Sequence, residues 1–200
     1  DISLGMGSDE RIGSRFLRPG PAYGGSCFPK DTKGLVSIGD KHKVNLSIVK
    51  SVVKSNQDRV SLHIKRLDKI IDKGLRNKII FFLGVTFKPN TDDMRDSLSL
   101  KMIPYAIKKG AHVIYYDPTG EKKDFKNLKN CKFSKNIKRI CKKADLIILH
   151  TEWDEFKNLD FKKLSKGKKT KIYDLRNLYD YTEMRKKKIK YYSIGRPNTN

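Results

Sequence analysis

The sequence predicts an α/β protein in which a long helical segment precedes a parallel sheet flanked by helices. The first observation is that apolar residues recur at three- and four-residue steps from Asp31 to about Lys73. The second is that short apolar runs alternate with polar helical stretches from Lys78 onward. The third is that runs such as Leu146 to Leu149 are apolar at every position, as strands buried on both faces are.

Two helices are predicted in the first part of the chain. Pro29 suits the first turn of a helix, and Gly39 with the polar stretch from Asp40 to Lys43 predicts a break. The second helix is expected from near Asn45 to Asp72, and Gly74 ends it. A helix of this length needs a partner surface, which is either its own domain or a second copy of the chain.

Strands and helices alternate in the second part of the chain. The strand candidates are Lys78 to Leu83, His112 to Tyr116, Cys131 to Phe133, Asp145 to His150, Lys171 to Tyr173 and Ile189 to Ser193. The helix candidates are Leu98 to Lys109, Lys135 to Lys143, a short turn near Leu159 to Leu164, and Tyr181 to Lys187. This pattern predicts a Rossmann-like sheet, but no Gly-x-Gly-x-x-Gly opens a helix after a strand, so the usual dinucleotide cradle is missing.

Loops that follow the strands are the expected ligand-binding region, because open parallel sheets bind beyond the carboxyl ends of their strands. In the first loop, Lys88 and Arg95 form a pair of cations suited to phosphate, or else part of a solvated surface. Ser97 is a candidate N-cap for the helix that follows. Asp117 fits a turn before proline better than a ribose contact, and Trp153 fits the core better than a ligand site.

Composition excludes several classes of function. The formal charge is +23, from 45 Lys and Arg against 22 Asp and Glu, but the lysines are dispersed, which indicates a solvated surface and no nucleic acid as primary partner. Three irregularly spaced cysteines indicate no disulfide framework and a reducing, cytoplasmic setting, and the four scattered histidines indicate no metal site. The apolar runs are too short to cross a membrane.

A reactive cysteine is predicted in the stretch from Gly24 to Thr32. Glycines let the backbone approach a ligand, and Pro29 would place Cys27 at a helix N-terminus, where the helix dipole and Lys30 favour the nucleophilic thiolate. Asp31 lies four residues later, so it shares a helix face with the thiol and could steer water. The alternative is a small buried cysteine in a glycine-rich turn.

Several separated motifs occur together in one order along nearly the whole chain. They are Arg11-Ile12-Gly13, Phe16 to Gly20, Gly24 to Thr32, Phe87 to Arg95, Thr151-Glu152-Trp153 with Phe156, and Asp174 to Leu178. Together they resemble the UDP-glucose 6-dehydrogenases of the UDP-glucose/GDP-mannose dehydrogenase family. One motif departs from the family, whose members commonly carry Asp-Gly-Arg where this chain has Asp174-Leu175-Arg176.

The resemblance implies a four-electron oxidation of UDP-glucose to UDP-glucuronate by NAD+, through a thiohemiacetal and a thioester on Cys27. Asp31 would position the water that hydrolyses the thioester. The implied substrate-binding residues are Phe16, Leu17, Arg18, Pro19, Gly20, Tyr23, Gly24, Lys88 and Arg11. Lys30 and Arg95 would lie on the NAD side, and Arg11 would reach the substrate of a neighbouring subunit.

The resemblance also implies a domain organisation. Residues 1–74 would be a central helical region that carries the cysteine loop and forms a homodimer, and residues 75–200 would bind UDP. The N-terminal NAD-binding domain would be absent from this chain, so we expect the chain alone to be inactive. Two alternatives stay open: a sibling enzyme acting on GDP-mannose or a UDP-N-acetylhexosamine, and a noncatalytic UDP-sugar-binding or dimer scaffold.

Overall fold

A computed structural model of the chain describes residues 2–14, 17, 20–71, 73–165 and 170–198. These residues form a helical stretch followed by a six-stranded parallel sheet with helices, which confirms the predicted α/β fold. The helical stretch contains α1 (Ile2–Gly7), α2 (Phe28–Lys41) and α3 (Ser47–Ile70). Among the described helices, none is long and apolar enough to cross a membrane.

The sheet has the strand order β3-β2-β1-β4-β5-β6, and every neighbouring pair is parallel. The strands are β1 (Ile79–Leu83), β2 (His112–Tyr116), β3 (Cys131–Phe133), β4 (Leu146–Leu149), β5 (Lys171–Asp174) and β6 (Lys190–Ser193). The connecting helices are α4 (Ser99–Lys108), α5 (Lys123–Lys126), α6 (Ile137–Cys141), α7 (Phe161–Ser165) and α8 (Tyr181–Lys186), with a 3₁₀ turn at Asp154–Phe156. All six strands lie within one residue of the predicted bounds, whereas α1 and α5 were missed because both are short.

The central strands form because both faces of the sheet are covered. In β1, Ile80 and Phe82 face a core that includes α3 and α4, while Phe81 and Leu83 face a core that includes α6 and the 3₁₀ turn. All four side chains are fully buried, and each such burial contributes about 1.5–3 kcal/mol. Continuous apolar runs are therefore required in β1 and β4, where side chains alternate between the two cores.

The α2–α3 connection differs from the prediction. Gly39 lies inside α2, which continues to Lys41, and the turn follows, with Lys43 at a φ of 58°. A Cβ at position 39 would lie 2.6 Å from Leu46 Cδ1 and 3.2 Å from Val44 O, so the glycine lets the turn pack closely on α2. The predicted break was therefore placed too early, since that glycine serves close packing of the turn on the helix.

The helix α3 docks on the sheet through its C-terminal end only. Leu67 and Ile70 are buried in the core, whereas Ile48, Val52 and Leu62 are exposed. The predicted cap of α4 is also wrong: Leu98 occupies the N-cap position. Ser97 instead donates its hydroxyl to Val85 O at 2.6 Å, which ties the start of α4 to the loop after β1.

Candidate active site

A cleft of about 1370 Å³ lies beyond the carboxyl ends of the strands, where the parallel sheet predicts it. Its sheet side is formed by the loops that follow β1, β4 and β5. Its opposite side is formed by one face of α3 and by the segment Gly20–Gly24. The cleft is therefore bounded by both the helical stretch and the sheet.

Cys27 stands at the N-terminus of α2, as predicted. It occupies the N-cap position with Pro29 in the first turn, and its side chain is exposed. The Asp31 N–H donates to Cys27 O at 2.8 Å, which places the thiol and the carboxylate one helical turn apart. Lys30 is exposed and pairs with Asp31 at 3.4 Å, and neither Lys30 nor Cys27 lines the cleft itself.

Two glycines dock the cysteine loop on the loop that follows β1. The Gly25 N–H donates to Arg95 O at 2.9 Å, and Gly25 has a φ of 83°. A Cβ on Gly25 would lie 2.6 Å from the Phe87 ring, and one on Gly24 would lie 2.7 Å from Asp96 O. Gly24 does line the cleft, but its missing side chain makes room for Asp96 rather than for a ligand.

The two cations of the loop after β1 have different environments. The Lys88 ammonium lies 5.2 Å from the Phe87 ring centroid and lines the cleft. Arg95 forms a bidentate pair with Asp93, from Nε to Oδ1 at 2.9 Å and from Nη2 to Oδ2 at 2.8 Å. This pair raises the pKa of Arg95 and lowers that of Asp93, while the Arg95 carbonyl accepts from Gly25 N–H in the cysteine loop. Arg95 thus lies on the cysteine side of the loop.

The other predicted substrate residues are only partly gathered at the cleft. Gly20 and Tyr23 line it, whereas Leu17 does not. Arg11 forms an exposed bidentate pair with Asp9 and also lies away from the cleft. The remaining predicted contacts, Phe16, Arg18 and Pro19, fall outside the described residues.

Arg176 joins three parts of the cleft wall, although its role could not be predicted from the sequence. Its Nε donates to His150 O at 2.9 Å and its Nη2 donates to Phe87 O at 2.6 Å. Glu152 Oε2 also lies 2.9 Å from Nε but without the alignment of a hydrogen bond, because Nε points at the His150 carbonyl. Burial lowers the pKa of Arg176, while Glu152 opposes that shift. Leu175 is fully buried in the core, so this chain accommodates a side chain where the family commonly has glycine.

A buried carboxylate shapes the loop that carries Arg176. Asp174 accepts hydrogen bonds from the backbone N–H groups of Arg176, Leu178 and Tyr179 and from the Tyr191 hydroxyl. Burial raises the pKa of Asp174, and these four donors counteract the shift. The carboxylate therefore turns the backbone after β5 toward the cleft.

Two side chains on α3 were missed by the sequence reasoning. Asn56 and Arg59 line the cleft and bind the backbone of residues 20–23. The only signal in the sequence was that two polar residues three positions apart interrupt the apolar pattern of a long helix. Such a pattern is common on solvated helix faces, so it did not single them out.

The sheet does not provide a dinucleotide site. A Cβ on Gly84, directly after β1, would lie 2.5 Å from Thr151 Cβ, so this glycine serves internal packing. Asp117, at the end of β2 where a ribose-binding acid would stand, is fully buried and accepts from Val85 N at 2.9 Å and from Thr119. Within the described ranges, no cluster of His, Cys, Asp and Glu could hold a metal ion.

Two sequence models of one family match the chain. The model described as "UDP-glucose/GDP-mannose dehydrogenase family, UDP binding domain" matches residues 81–181. The model described as the central domain of the same family matches residues 1–58. The first of these alone covers half of the chain.

Curated proteins and solved structures agree with the family match. The chain is 39% identical over 198 residues to UDP-glucose 6-dehydrogenase of Rickettsia prowazekii and 40% identical over 199 residues to that of Rhizobium meliloti. It covers 46% of each relative, while the alignments include 98% and 99% of this chain, so it spans about half their length.

Among solved structures, a UDP-glucose dehydrogenase from Pyrobaculum islandicum is 27% identical with a TM-score of 0.78, covering 96% of this chain and 42% of that one. An NDP-N-acetyl-D-galactosaminuronic acid dehydrogenase from Methanosarcina mazei is 25% identical with a TM-score of 0.78, covering 100% of this chain and 44% of that one.

Proposed function

Because this chain belongs to the UDP-glucose/GDP-mannose dehydrogenase family, we propose that it is the cysteine-bearing, UDP-sugar-binding part of an enzyme that oxidises UDP-glucose to UDP-glucuronate. The observation that carries the proposal is the placement of Cys27 at a helix N-terminus, in a loop that docks on the Lys88–Asp96 loop beside the cleft. Residues 75–200 would bind the UDP group, and residues 1–74 would present the thiol.

The charges around the cleft indicate where the diphosphate would bind. Arg59 and Arg176 commit donors to backbone carbonyl groups, and Lys157 pairs with Asp154 at 2.5 Å. Two exposed cations that line the cleft, Lys88 and Arg196, have no hydrogen bond or ion pair within the part of the chain that the structure describes, which leaves their charges available, and Lys88 is the one in the loop that contacts the cysteine loop. We therefore assign Lys88 to the diphosphate, and the resemblance implies that Lys88 contacts the substrate.

The chemistry of the family requires groups that this chain supplies near the cleft. Loss of a first hydride and a proton from the C6 alcohol would give the aldehyde, to which the Cys27 thiolate would add, with uptake of a proton, to give a thiohemiacetal; loss of a second hydride and the hydroxyl proton from that adduct would give a thioester. A water molecule positioned by Asp31 would then hydrolyse the thioester to the carboxylate and free the thiol. Each of the two oxidations removes one hydride, so the reaction needs two hydride acceptors for each sugar.

The hydride acceptor that the family implies is NAD+, but the sheet of this chain does not fit it. Gly84 is packed against Thr151 and Asp117 is buried, so neither can serve as a dinucleotide contact. Lys30 and Arg95 could only border a cofactor that is held mainly elsewhere. We therefore propose that the 200-residue chain binds UDP-glucose without reducing NAD+.

A homodimer through the central helices is part of the same proposal. Leu35 and Ile38 of α2 and Leu62 of α3 are exposed, at 48–59% of their surface, on the helices that the resemblance assigns to the dimer, and none of the three lines the cleft. Arg11 would reach the neighbouring subunit's substrate in that assembly. A cytoplasmic location, which the three irregularly spaced cysteines indicate, stays a prediction.

The test compares nucleotide sugars and removes the thiol. The natural protein, expressed from its complete coding sequence, should turn over UDP-glucose faster than GDP-mannose and UDP-N-acetylglucosamine. Cys27→Ser should abolish UDP-glucuronate formation while UDP-glucose still binds, and Cys131→Ser serves as the matched control. Undiminished turnover by Cys27→Ser would exclude the thiol as nucleophile.

One alternative substrate class has support in the comparisons. The Methanosarcina mazei structure, named for an N-acetylgalactosaminuronic acid, matches this chain as well as the Pyrobaculum islandicum structure does by TM-score. Faster turnover of a UDP-N-acetylhexosamine would favour this sibling activity. Binding of UDP-sugars without turnover by the natural protein would instead favour a noncatalytic scaffold.

A further inference from the structure

One face of α3 uses its polar side chains to bind backbone. Asn56, Arg59 and His63 lie at positions i, i+3 and i+7, so they share a face of the helix. All three direct polar atoms at residues 20–23, the segment that lines the cleft and leads into the cysteine loop. No described residue of this segment belongs to a helix or strand.

The Asn56 side chain binds both backbone groups of Tyr23, as a residue of a neighbouring strand would. Tyr23 N–H donates to Asn56 Oδ1 at 2.9 Å, and Asn56 Nδ2 donates to Tyr23 O at 3.0 Å. A neighbouring strand would satisfy Tyr23 in the same way. Arg59 holds two consecutive carbonyl groups, with Nη2 donating to Gly20 O at 2.9 Å and Nε to Pro21 O at 3.0 Å.

The same face of α3 also anchors to the sheet. His63 Nε2 lies 3.1 Å from Pro21 O, which can only accept, so Nε2 carries the proton and Nδ1 accepts from the Tyr173 hydroxyl at 2.6 Å. Burial, assisted by the charge of Arg59, lowers the pKa of His63 to about 4, so the ring is neutral at pH 7. Arg66 lies 5.2 Å from the Tyr173 ring centroid and donates to Ser193 O at 3.0 Å.

We propose that Asn56, supported by Arg59, is a positioning residue that fixes the Gly20–Tyr23 backbone and thereby places the Cys27 loop against the cleft. The catalytic consequence of this inference rests on the proposed function. Asn56 acts through Tyr23 because both ends of its amide are committed to that residue's backbone. Beyond Tyr23, the next backbone anchor is Gly25 N–H to Arg95 O, so two successive anchors hold the backbone just before Cys27.

A first test measures the backbone directly and does not depend on the reaction. In the 200-residue chain, Asn56→Ala should accelerate amide hydrogen exchange at Tyr23 by about fivefold, which corresponds to the loss of one hydrogen bond of about 1 kcal/mol. Gln57→Ala is the matched control, since Gln57 is the adjacent exposed amide and its side chain forms no hydrogen bond to the described residues. Asn56→Asp keeps an oxygen that accepts from Tyr23 N–H, so the Tyr23 amide should stay protected from exchange in this variant. It provides the second measurement if Asn56→Ala does not fold. Unchanged exchange at Tyr23 in Asn56→Ala would overturn the inference.

A second test separates positioning from substrate contact. In the natural protein, Asn56→Ala should lower kcat for UDP-glucose by about 10²-fold, because a displacement of about 1 Å costs that much, while UDP affinity stays within about threefold. Gln57→Ala should change neither quantity. Loss of UDP affinity as large as the loss of kcat/KM would overturn the positioning role and make Asn56 a direct ligand. If the unmodified protein does not oxidise UDP-glucose, the proposed function fails, and amide exchange alone decides this inference.

Discussion

Substitution of Gly25 by alanine tests whether the cysteine loop depends on the backbone geometry described above. Gly25 has a φ of 83°, and the new Cβ would lie 2.6 Å from the Phe87 ring. The left-handed backbone costs alanine about 1–2 kcal/mol. Displacing the ring or breaking the bond from Gly25 N–H to Arg95 O costs about 1 kcal/mol more, so we expect a loss of about 2–3 kcal/mol.

Gly34→Ala is the matched control, with an expected effect of the opposite sign. Gly34 lies inside α2, on the same helix that Cys27 begins, and a Cβ there would meet nothing within 4 Å. Alanine is favoured over glycine in a helix interior, so this variant should gain about 0.5–1 kcal/mol. Urea unfolding of the 200-residue chain at pH 7 measures both free energies. Equal stability of Gly25→Ala and the unmodified chain would refute the docking of the cysteine loop on Phe87.

Three further predictions concern the cleft and the buried histidine. Lys88→Ala should weaken UDP-glucose binding by about 10- to 100-fold in calorimetry, because a charge-assisted hydrogen bond is lost, while Lys129→Ala on the far edge of the sheet should have no effect. Arg176→Lys should lower the free energy of unfolding by about 1–3 kcal/mol, since one ammonium cannot reach both the His150 and Phe87 carbonyl groups; unchanged urea midpoints would contradict this. Folding lowers the pKa of His63 from 6.5 to about 4, so the unfolded chain binds the proton more tightly and the free energy of unfolding falls as the pH falls between these values. From pH 7 to pH 5 we expect His63 to lower the free energy of unfolding by about 2 kcal/mol, measured by urea unfolding at both pH values. This loss should be absent in His63→Gln.

The sheet could be predicted closely because its signal is local. Strands β1 and β4 are apolar at every position, and neighbouring residues enter opposite cores, so a short window of sequence carries the information. The N-terminal position of Cys27 was predicted for a similar reason, since proline in a first helical turn is a local preference.

The errors occurred where a residue serves a distant contact. Ser97 resembles a helix cap, but its hydroxyl donates to Val85 O, twelve residues earlier. Gly39 resembles a helix break, but it makes room for Leu46 across the following turn. In both cases the residue type fits its expected local role, and a contact made by the folded chain decides the actual one.

The sequence by itself determined the α/β class, the strand bounds and the candidate thiol, because burial periodicity and helix-end chemistry depend on near neighbours. Only the tertiary structure decided how the cleft wall is held. Asn56 binds Tyr23 across 33 residues of sequence, and His63 binds Tyr173 across 110. Arg176 likewise reaches the Phe87 carbonyl across 89 residues. Such pairs leave no periodic pattern, since an amide, imidazole or guanidinium binds whichever backbone group the fold brings within about 3 Å.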